Sequence, residues 1–295
     1  LDMSRGGATA DEVKAYLDQT FDVYEQLYGI HIKPTDSLGN RFDLIIKTAY
    51  KQTGLKVAIL IDEYDSPLQH SWKHEGCTDV YRSVFAILKA DDAYQRFVFI
   101  TGITKFTQIS LFSVLNNLTN ISFLPEYAAI CGITEEEIGQ NFKPELERMA
   151  EVNGWTLQQT HDNLKDYYDG YHFSRRNMVD IYNPFSLLNA LDTQDLSCFW
   201  VSSGATSMLP KFVDNMELRL RNFENCPILR KTLESSDVIN GGAELFLYQT
   251  GYLTIKSSDE FGYFLGFPNQ EVKQALYEVV LPTLKSAIDS SSVPF

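Results

Sequence analysis

The sequence predicts a mixed α/β fold that contains a parallel sheet flanked by helices. Two runs without polar residues, Val57–Ile61 and residues 97–100, predict strands because branched and aromatic side chains dominate them. Between them, residues 79–89 repeat with helical spacing. A strand, a helix and a second strand in this order form a right-handed crossover unit. Runs without polar alternation are typical of parallel sheets, so we expect both strands to be buried on both faces.

Helices are also predicted before this sheet. Thr9 and Glu12 have the spacing of a capping box, in which each side chain bonds to the backbone at the other residue. The apolar pattern behind them predicts a helix, and Gly29 suits its end. A second helical pattern follows and ends before Gly54. Residues 1–4 have the character of the last residues of a strand.

After about residue 133 the pattern becomes helical. A helix that begins near Thr134 is divided at Pro144, because proline lacks the backbone N–H that a helix interior requires. A further helix ends at Asp169 and Gly170, and another begins near Pro184.

The last third has a different order of elements. A helix at residues 243–249 precedes a hairpin whose strands lie at about 252–256 and 263–267, and a helix follows at about 271–284. This order indicates a winged-helix-like module, although many α+β folds share it.

Composition limits the functional classes. The 295 residues suffice for one large domain or two smaller ones, and 44% are hydrophobic, enough for a sizeable core. The formal net charge of −14 opposes nucleic-acid binding, which usually needs a basic surface. The four cysteines lie far apart, without metal-site or redox-motif spacing. No signal peptide is recognisable, and no apolar run approaches the roughly 20 residues of a membrane span. We therefore expect a cytoplasmic protein without membrane or nucleic-acid partners.

Acidic residues follow the first predicted strand directly. Ligands of open α/β sheets bind beyond the carboxyl ends of the strands, where Asp62 and Glu63 lie. Asp62 is placed to hold Mg²⁺, which takes one or two carboxylates plus water and phosphate oxygens. Glu63 is placed to act as a general base toward water. Two other interpretations stay open: solvated acids at a strand end, or a metal-hydrolase cluster of Asp62, Glu63 and Asp65 that would need further acids or histidines.

Polar residues also follow the second predicted strand. Thr101 and Thr104 are candidates for sensing a phosphate, and Lys105 can offer a positive charge. Gly102 would let the backbone turn sharply between them. The same residues are compatible with an ordinary turn.

The sequence lacks one feature that self-sufficient nucleotide chemistry needs. The phosphate-binding loop Gly-x-x-x-x-Gly-Lys-Ser/Thr does not occur in it.

A third candidate feature is an aromatic segment followed by two arginines. Arg175 and Arg176 follow an aromatic segment at residues 167–173; they could reach a phosphate, but such pairs are usually solvated, and the aromatic residues are more typical of core packing. Both ends of the sequence have the character of internal segments of a longer protein.

Taken in order, these motifs closely resemble a bacterial AAA-ATPase-like family whose members often carry a C-terminal PD-(D/E)XK nuclease domain. The resemblance runs over nearly the whole chain. Its motifs are Ile61-Asp62-Glu63-Tyr64-Asp65-Ser66-Pro67-Leu68, the strand and turn at residues 97–106, Leu115-Asn116-Asn117-Leu118, Pro125-Glu126-Tyr127, Cys131-Gly132, Tyr168-Asp169-Gly170-Tyr171, Tyr182-Asn183-Pro184, Gln249-Thr250-Gly251-Tyr252-Leu253 and Leu265-Gly266-Phe267-Pro268-Asn269.

The resemblance implies a P-loop NTPase-type core, a helical segment and a winged-helix-like module, at residues 1–133, 134–195 and 196–295. It implies ATP and Mg²⁺ as ligands, with Asp62 as the metal-side acid and Glu63 as the water-activating acid. Thr101 or Thr104, together with Lys105, would occupy the sensor position. The family's phosphate-binding loop is expected upstream of Leu1 and its nuclease domain beyond Phe295.

The sequence therefore predicts an ATP-binding module that is inactive as this chain alone. The alternative is a non-catalytic interaction or regulatory module built on the same fold. A nucleotide is the expected ligand, with a protein partner or self-association as further interactions.

Overall fold

A computed structural model of the protein describes residues 1–33, 35–69, 75–103, 118–203, 223–234 and 242–278. The described residues form two compact units. The first unit comprises those up to Thr119, and the second unit those from Asn120 onward. Thr104 and Lys105 lie outside the described residues, as does the predicted final helix beyond residue 278.

The first unit combines helices with two strands. Its elements are a short 3-10 helix at Met3–Gly6, α1 at Ala10–Tyr28, α2 at Leu38–Thr53, β1 at Val57–Ile61, α3 at Ser66–Gln69, α4 at Glu75–Ala90, a 3-10 turn at Asp92–Tyr94 and β2 at Gln95–Ile100. The predicted capping box is confirmed, since Thr9 accepts from the backbone of Glu12 and Glu12 accepts from the backbone of Thr9. Gly29 and Gly54 end α1 and α2 in the left-handed conformation that glycine adopts without strain.

The two strands pair in parallel, which confirms the predicted crossover unit. Ile59 lies opposite Val98, and Ile61 lies opposite Ile100. On the other side of β1, residues 1–3 continue the sheet: Leu1 accepts a hydrogen bond from the backbone of Asp62, which accepts one from Met3. β1 is therefore hydrogen-bonded on both sides at its carboxyl end.

The prediction that both strands are buried on both faces is wrong. Helices α1, α2 and α4 form one core with the sheet face that carries Ile59 and Ile61. The opposite face remains open: Leu60 is 57% exposed and Phe97 is 51% exposed. An apolar run without alternation cannot reveal this, because both faces carry hydrophobic side chains whether or not they are covered.

A buried ion cluster joins α1 to α2. The guanidinium of Arg41 donates to Glu25, to Asp18 at 2.5 Å and to Asp22 at 2.7 Å. Arg41 and Glu25 are both almost fully buried. Each is tolerated there because it neutralises the other's charge.

The second unit begins with helices. They are a 3-10 helix at Pro125–Tyr127, α5 at Glu135–Asn141, α6 at Lys143–Asn153, α7 at Leu157–Tyr168, α8 at Pro184–Thr193 and a 3-10 helix at Trp200–Ser203. The predicted break at Pro144 is confirmed, with the proline in the first turn of α6. Thr156 and Gln159 form a further capping box at the start of α7, which was not predicted.

A three-stranded antiparallel sheet completes the second unit. Its elements are β3 at Cys226–Leu229, α9 at Arg230–Glu234, α10 at Gly242–Gln249, β4 at Thr254–Ser258, β5 at Gly262–Gly266 and α11 over residues 270–278. The strand order is β3-β5-β4. The predicted hairpin is confirmed as β4 and β5, and β3 was not predicted.

The segment after α7 packs on this sheet. The hydroxyl of Thr254 accepts from the backbone N–H of His172 at 2.8 Å and donates to its carbonyl at 2.9 Å. Tyr171 donates its hydroxyl to the carbonyl of Gly251 at 3.1 Å. Among the described residues, no helix has the length and hydropathy needed to cross a membrane.

Candidate functional site

The candidate site lies at the carboxyl end of β1, where β1 has neighbours on both sides. Toward β2, Thr101 donates its backbone N–H to Ile61 at 2.8 Å, and its carbonyl accepts from Tyr64 at 3.0 Å. Toward residues 1–3, Asp62 donates its N–H to the carbonyl of Leu1 at 2.8 Å. These bonds fix the backbone on which Asp62 and Thr101 are presented.

Asp62 is exposed but held in one orientation. Its Oδ1 accepts a hydrogen bond from the hydroxyl of Thr101 and another from the backbone N–H of Glu63 at 3.1 Å. No described residue donates to its Oδ2. The carboxylate therefore retains acceptor capacity while its orientation is set by the protein.

Glu63 has an unusual backbone conformation and a carboxyl group with a raised pKa. Its φ is +47°, in the left-handed region that non-glycine residues rarely occupy. Partial burial raises the pKa of its carboxyl group, and the negative charges of Asp62, Asp2 and Asp65 raise that pKa further.

Asp65 differs from these two acids because it is fully buried. Its Oδ1 accepts from the backbone N–H of Ile103 at 3.2 Å, which ties the loop after β1 to the turn after β2. Gly102 permits this close approach: a Cβ there would lie 2.4 Å from Asp65 Oδ1 and 2.6 Å from the ring of Tyr64. Glycine is thus required for space rather than for a positive φ, which Gly102 does not have.

The acids after β1 do not form a closed metal site among the described residues. Within the ranges that the structure describes, no group of three or more His, Cys, Asp or Glu residues is arranged to hold a metal. This finding gives no support to a metal-hydrolase cluster of Asp62, Glu63 and Asp65. Mg²⁺ is commonly held by one or two carboxylates with waters and phosphates as the other ligands, so a single exposed carboxylate such as that of Asp62 is compatible with this chemistry.

The structure thus brings together three of the five predicted site residues, Asp62, Glu63 and Thr101. The direct bond from Thr101 to Asp62 was not predicted. It follows from parallel pairing, since Ile61 lies opposite Ile100 and the next residue of each strand lies at the same edge.

Ligands of open α/β sheets bind beyond the carboxyl ends of the strands, which is the edge where Asp62 and Thr101 lie. Residues 1–112 match the AAA-ATPase-like family, described as "Predicted AAA-ATPase". The resemblance inferred from the sequence is confirmed over this part of the chain.

One curated relative matches almost the whole chain. It is an uncharacterized protein in the vnfD 5' region of Azotobacter chroococcum mcd 1, with 29% identity over 292 residues. The match covers 95% of this chain and 54% of the relative, so the chain spans about half the relative's length. No solved structure matches this protein.

Proposed function

We propose that this chain is the nucleotide-binding part of a P-loop-class ATPase and that Asp62 and Glu63 face a Mg²⁺-bound ATP. The observation that carries the proposal is the hydrogen bond from Thr101 to Asp62 at the carboxyl ends of two adjacent parallel strands. Open α/β sheets bind ligands at this edge. The family match over residues 1–112 supports a nucleotide as the ligand.

Each residue has a distinct role in this proposal. The carboxylate of Asp62 holds the metal, and Thr101 positions that carboxylate. Glu63 accepts a proton from the attacking water at its carboxylate, and its raised pKa makes it a stronger base than an ordinary glutamate. When bound, Mg²⁺-ATP supplies the phosphoryl group, and the metal neutralises charge on it. Thr104 and Lys105 are proposed to contact the nucleotide from the turn after β2.

The proposal extends to the architecture. The core at residues 1–133 is of the P-loop NTPase type, residues 134–195 form a helical segment, and residues 196–295 form a winged-helix-like module. The hairpin β4–β5 between α10 and α11 supports the last assignment. Because the sequence contains no phosphate-binding loop, the chain alone does not hydrolyse ATP in this proposal.

The open face of the first sheet favours a second candidate function. Parallel sheets are normally covered on both faces, yet Leu60 and Phe97 are exposed on one face of this sheet. In a non-catalytic interaction module, this apolar face would contact a protein partner or a second copy of the chain.

ATP hydrolysis by a version extended upstream to the start of its reading frame tests the first proposal. We expect Asp62→Ala to abolish the Mg²⁺-dependent rate, and Glu63→Gln to retain nucleotide binding while hydrolysis stops. Asp11→Asn is the matched control, because it removes an equal charge from an exposed position in α1. A Glu63→Gln variant that hydrolyses ATP at the unaltered rate would remove Glu63 from the mechanism.

A further inference from the structure

The second unit contains a cavity of about 320 Å³ that the proposed nucleotide chemistry leaves unused. It lies where two of the family motifs meet. Asp169 and Gly170 line it from the end of α7, and Phe267, Pro268 and Asn269 line it from the segment after β5. The site is therefore built from parts of the chain that are distant in sequence.

Direct contacts hold these two segments together. Asn269 donates its side-chain N–H to the carbonyl of Asp169 at 3.0 Å, across 100 residues of sequence. The ammonium of Lys256 donates to Pro268 at 3.1 Å and to Gly170 at 3.5 Å, in both cases to the carbonyl oxygen. A Cβ at Gly170 would lie 2.4 Å from the Pro268 carbonyl, so the segments touch backbone to backbone.

Asp169 has unused acceptor capacity at this cavity. Its side chain is 1% exposed, and within the described residues no donor reaches either carboxylate oxygen with good hydrogen-bond geometry. The adjacent backbone N–H of Gly170 approaches the carboxylate only closely enough to lower its pKa. Its nearest cation is Lys165, whose Nζ lies 3.9 Å from Oδ2, beyond hydrogen-bond distance. A buried carboxylate with such poorly placed donors is costly, and the cavity beside it has room for a further partner.

The charge of the cavity defines the kind of partner. Carboxylates outnumber ammonium groups in the lining: they are Asp166, Asp169, Asp180 and Glu224, against Lys165 and Lys273. Lys273 pairs with Glu224 at 2.5 Å, whereas Lys165 lies 3.8 Å from Asp180 and 3.9 Å from Asp169. Lys256 is near enough for its charge to act on Asp180 and Asp169, which still leaves four acids against three ammonium groups. The remaining negative charge favours a cation. Within the described residues no group of three or more His, Cys, Asp or Glu residues converges on a common point, so an organic cation fits this lining better than a bare metal ion.

We propose that this cavity binds a guanidinium group, carried by a small molecule or by an arginine side chain of a peptide. The two parallel N–H bonds of a guanidinium match the two oxygens of Asp169. The ring of Phe267, which also lines the cavity, already has the ammonium of Lys273 at 5.9 Å from its centre, so this part of the lining accommodates a cation. The ligand reaches Asp169 by displacing the side chain of Lys165, which is 54% exposed.

The size of the cavity agrees with this ligand. Its volume lies at the lower end of the range for ligand sites, which suits a small molecule or a single side chain better than a nucleotide. The site lies within the second unit and does not depend on the nucleotide function proposed for the first unit.

Calorimetric titration of N-acetyl-arginine amide into the chain at neutral pH tests the proposal. We expect saturable binding, with no binding of N-acetyl-citrulline amide, which has the same shape without the charge. Asp169→Asn is expected to weaken binding at least tenfold. Asp192→Asn, which removes an equal charge from an exposed position in α8 outside the cavity, is expected to leave binding within twofold.

The source of the guanidinium is identified with two more probes, agmatine as a small molecule and a blocked Gly-Arg-Gly peptide. Tighter binding of agmatine indicates a metabolite, and tighter binding of the peptide indicates a protein segment. If Asp169→Asn fails to fold, backbone amide shifts in the unaltered chain decide the question. Ligand-dependent shifts at Gly170 and Asn269 support the site. Shifts confined to other residues, or equal binding of the arginine and citrulline probes, would overturn it.

Discussion

The hydroxyl of Thr101 donates a hydrogen bond to Asp62 Oδ1 across 39 residues of sequence. Parallel pairing of β1 with β2 places the two strand ends side by side and makes this contact possible. The backbone N–H of Glu63 bonds to the same oxygen, so two donors orient one exposed acid. This pre-oriented carboxylate is the centre of the proposed nucleotide site.

Replacing Thr101 by valine tests that orientation. Valine keeps the shape of threonine but lacks its hydroxyl, so the Asp62 carboxylate loses one of its two donors. In the version extended upstream, we expect affinity for Mg²⁺-ATP to fall about tenfold, which corresponds to about 1.4 kcal/mol. Thr101→Ser retains the hydroxyl and is expected to bind normally. Equal calorimetric affinity of the valine and serine variants would show that the hydrogen bond has no role in binding.

The ion cluster between α1 and α2 predicts a large effect on stability. Arg41→Met leaves Glu25 buried without its cation, which costs about 3–5 kcal/mol of unfolding free energy. The double variant Arg41→Met/Glu25→Leu removes both charges and is expected to recover much of this loss. Urea denaturation measures both variants. A loss of less than about 1 kcal/mol for Arg41→Met would contradict the claim that Arg41 stabilises the fold by neutralising the buried Glu25.

Close packing at Gly170 predicts a second effect on stability. Gly170 has a φ of +92°, and its added Cβ would meet the Pro268 carbonyl. We expect Gly170→Ala to lose more than the roughly 1–2 kcal/mol that a left-handed L-residue costs. Gly154→Ala is the matched control, since Gly154 has a φ of +67° and open space around its Cβ position. Urea denaturation should show a larger loss for Gly170→Ala, and equal losses would contradict the packing argument.

Asp169 predicts a specific dependence of stability on pH. Burial raises its pKa from an ordinary 3.8 to about 6; Gly170 N–H and Lys165 lower that pKa in part, while Asp180 and Glu135 raise it. Between these values the folded protein holds a proton that the unfolded chain lacks. The contribution of Asp169 to the free energy of unfolding therefore falls as the pH rises from about 4 to about 6, and it is constant at higher pH.

Thermal unfolding of the chain and of Asp169→Asn measures this dependence. We expect the difference in midpoint, unaltered chain minus variant, to decrease from about pH 4 to about pH 6 and then to level off. A difference that is independent of pH across this window would show that Asp169 titrates normally.

Local patterns predicted much of the fold. The apolar runs located β1 and β2, Thr9 and Glu12 located the start of α1, and Pro144 located the break before α6. Each of these signals depends on residues close together in sequence. The openness of the sheet face at Leu60 could not be predicted, because burial depends on what the rest of the chain covers.

The candidate site was predictable where its residues follow from local patterns, and it was not predictable where they depend on contacts between distant segments. The position of Asp62 follows from its place directly after a strand. Its bond to Thr101 requires the pairing register, which no local pattern specifies. The contact of Asn269 with Asp169 spans 100 residues, and the aromatic surroundings of Asp169 indicated core packing rather than a ligand site.

The most direct test of the central proposal is calorimetric titration of Mg²⁺-ATP into this chain and into the version extended upstream to the start of its reading frame. The proposal predicts that the extended version binds with an affinity that Asp62→Ala reduces, and that the shorter chain does not bind measurably. If neither protein binds Mg²⁺-ATP, the nucleotide function is contradicted, and the chain is better described as an interaction module.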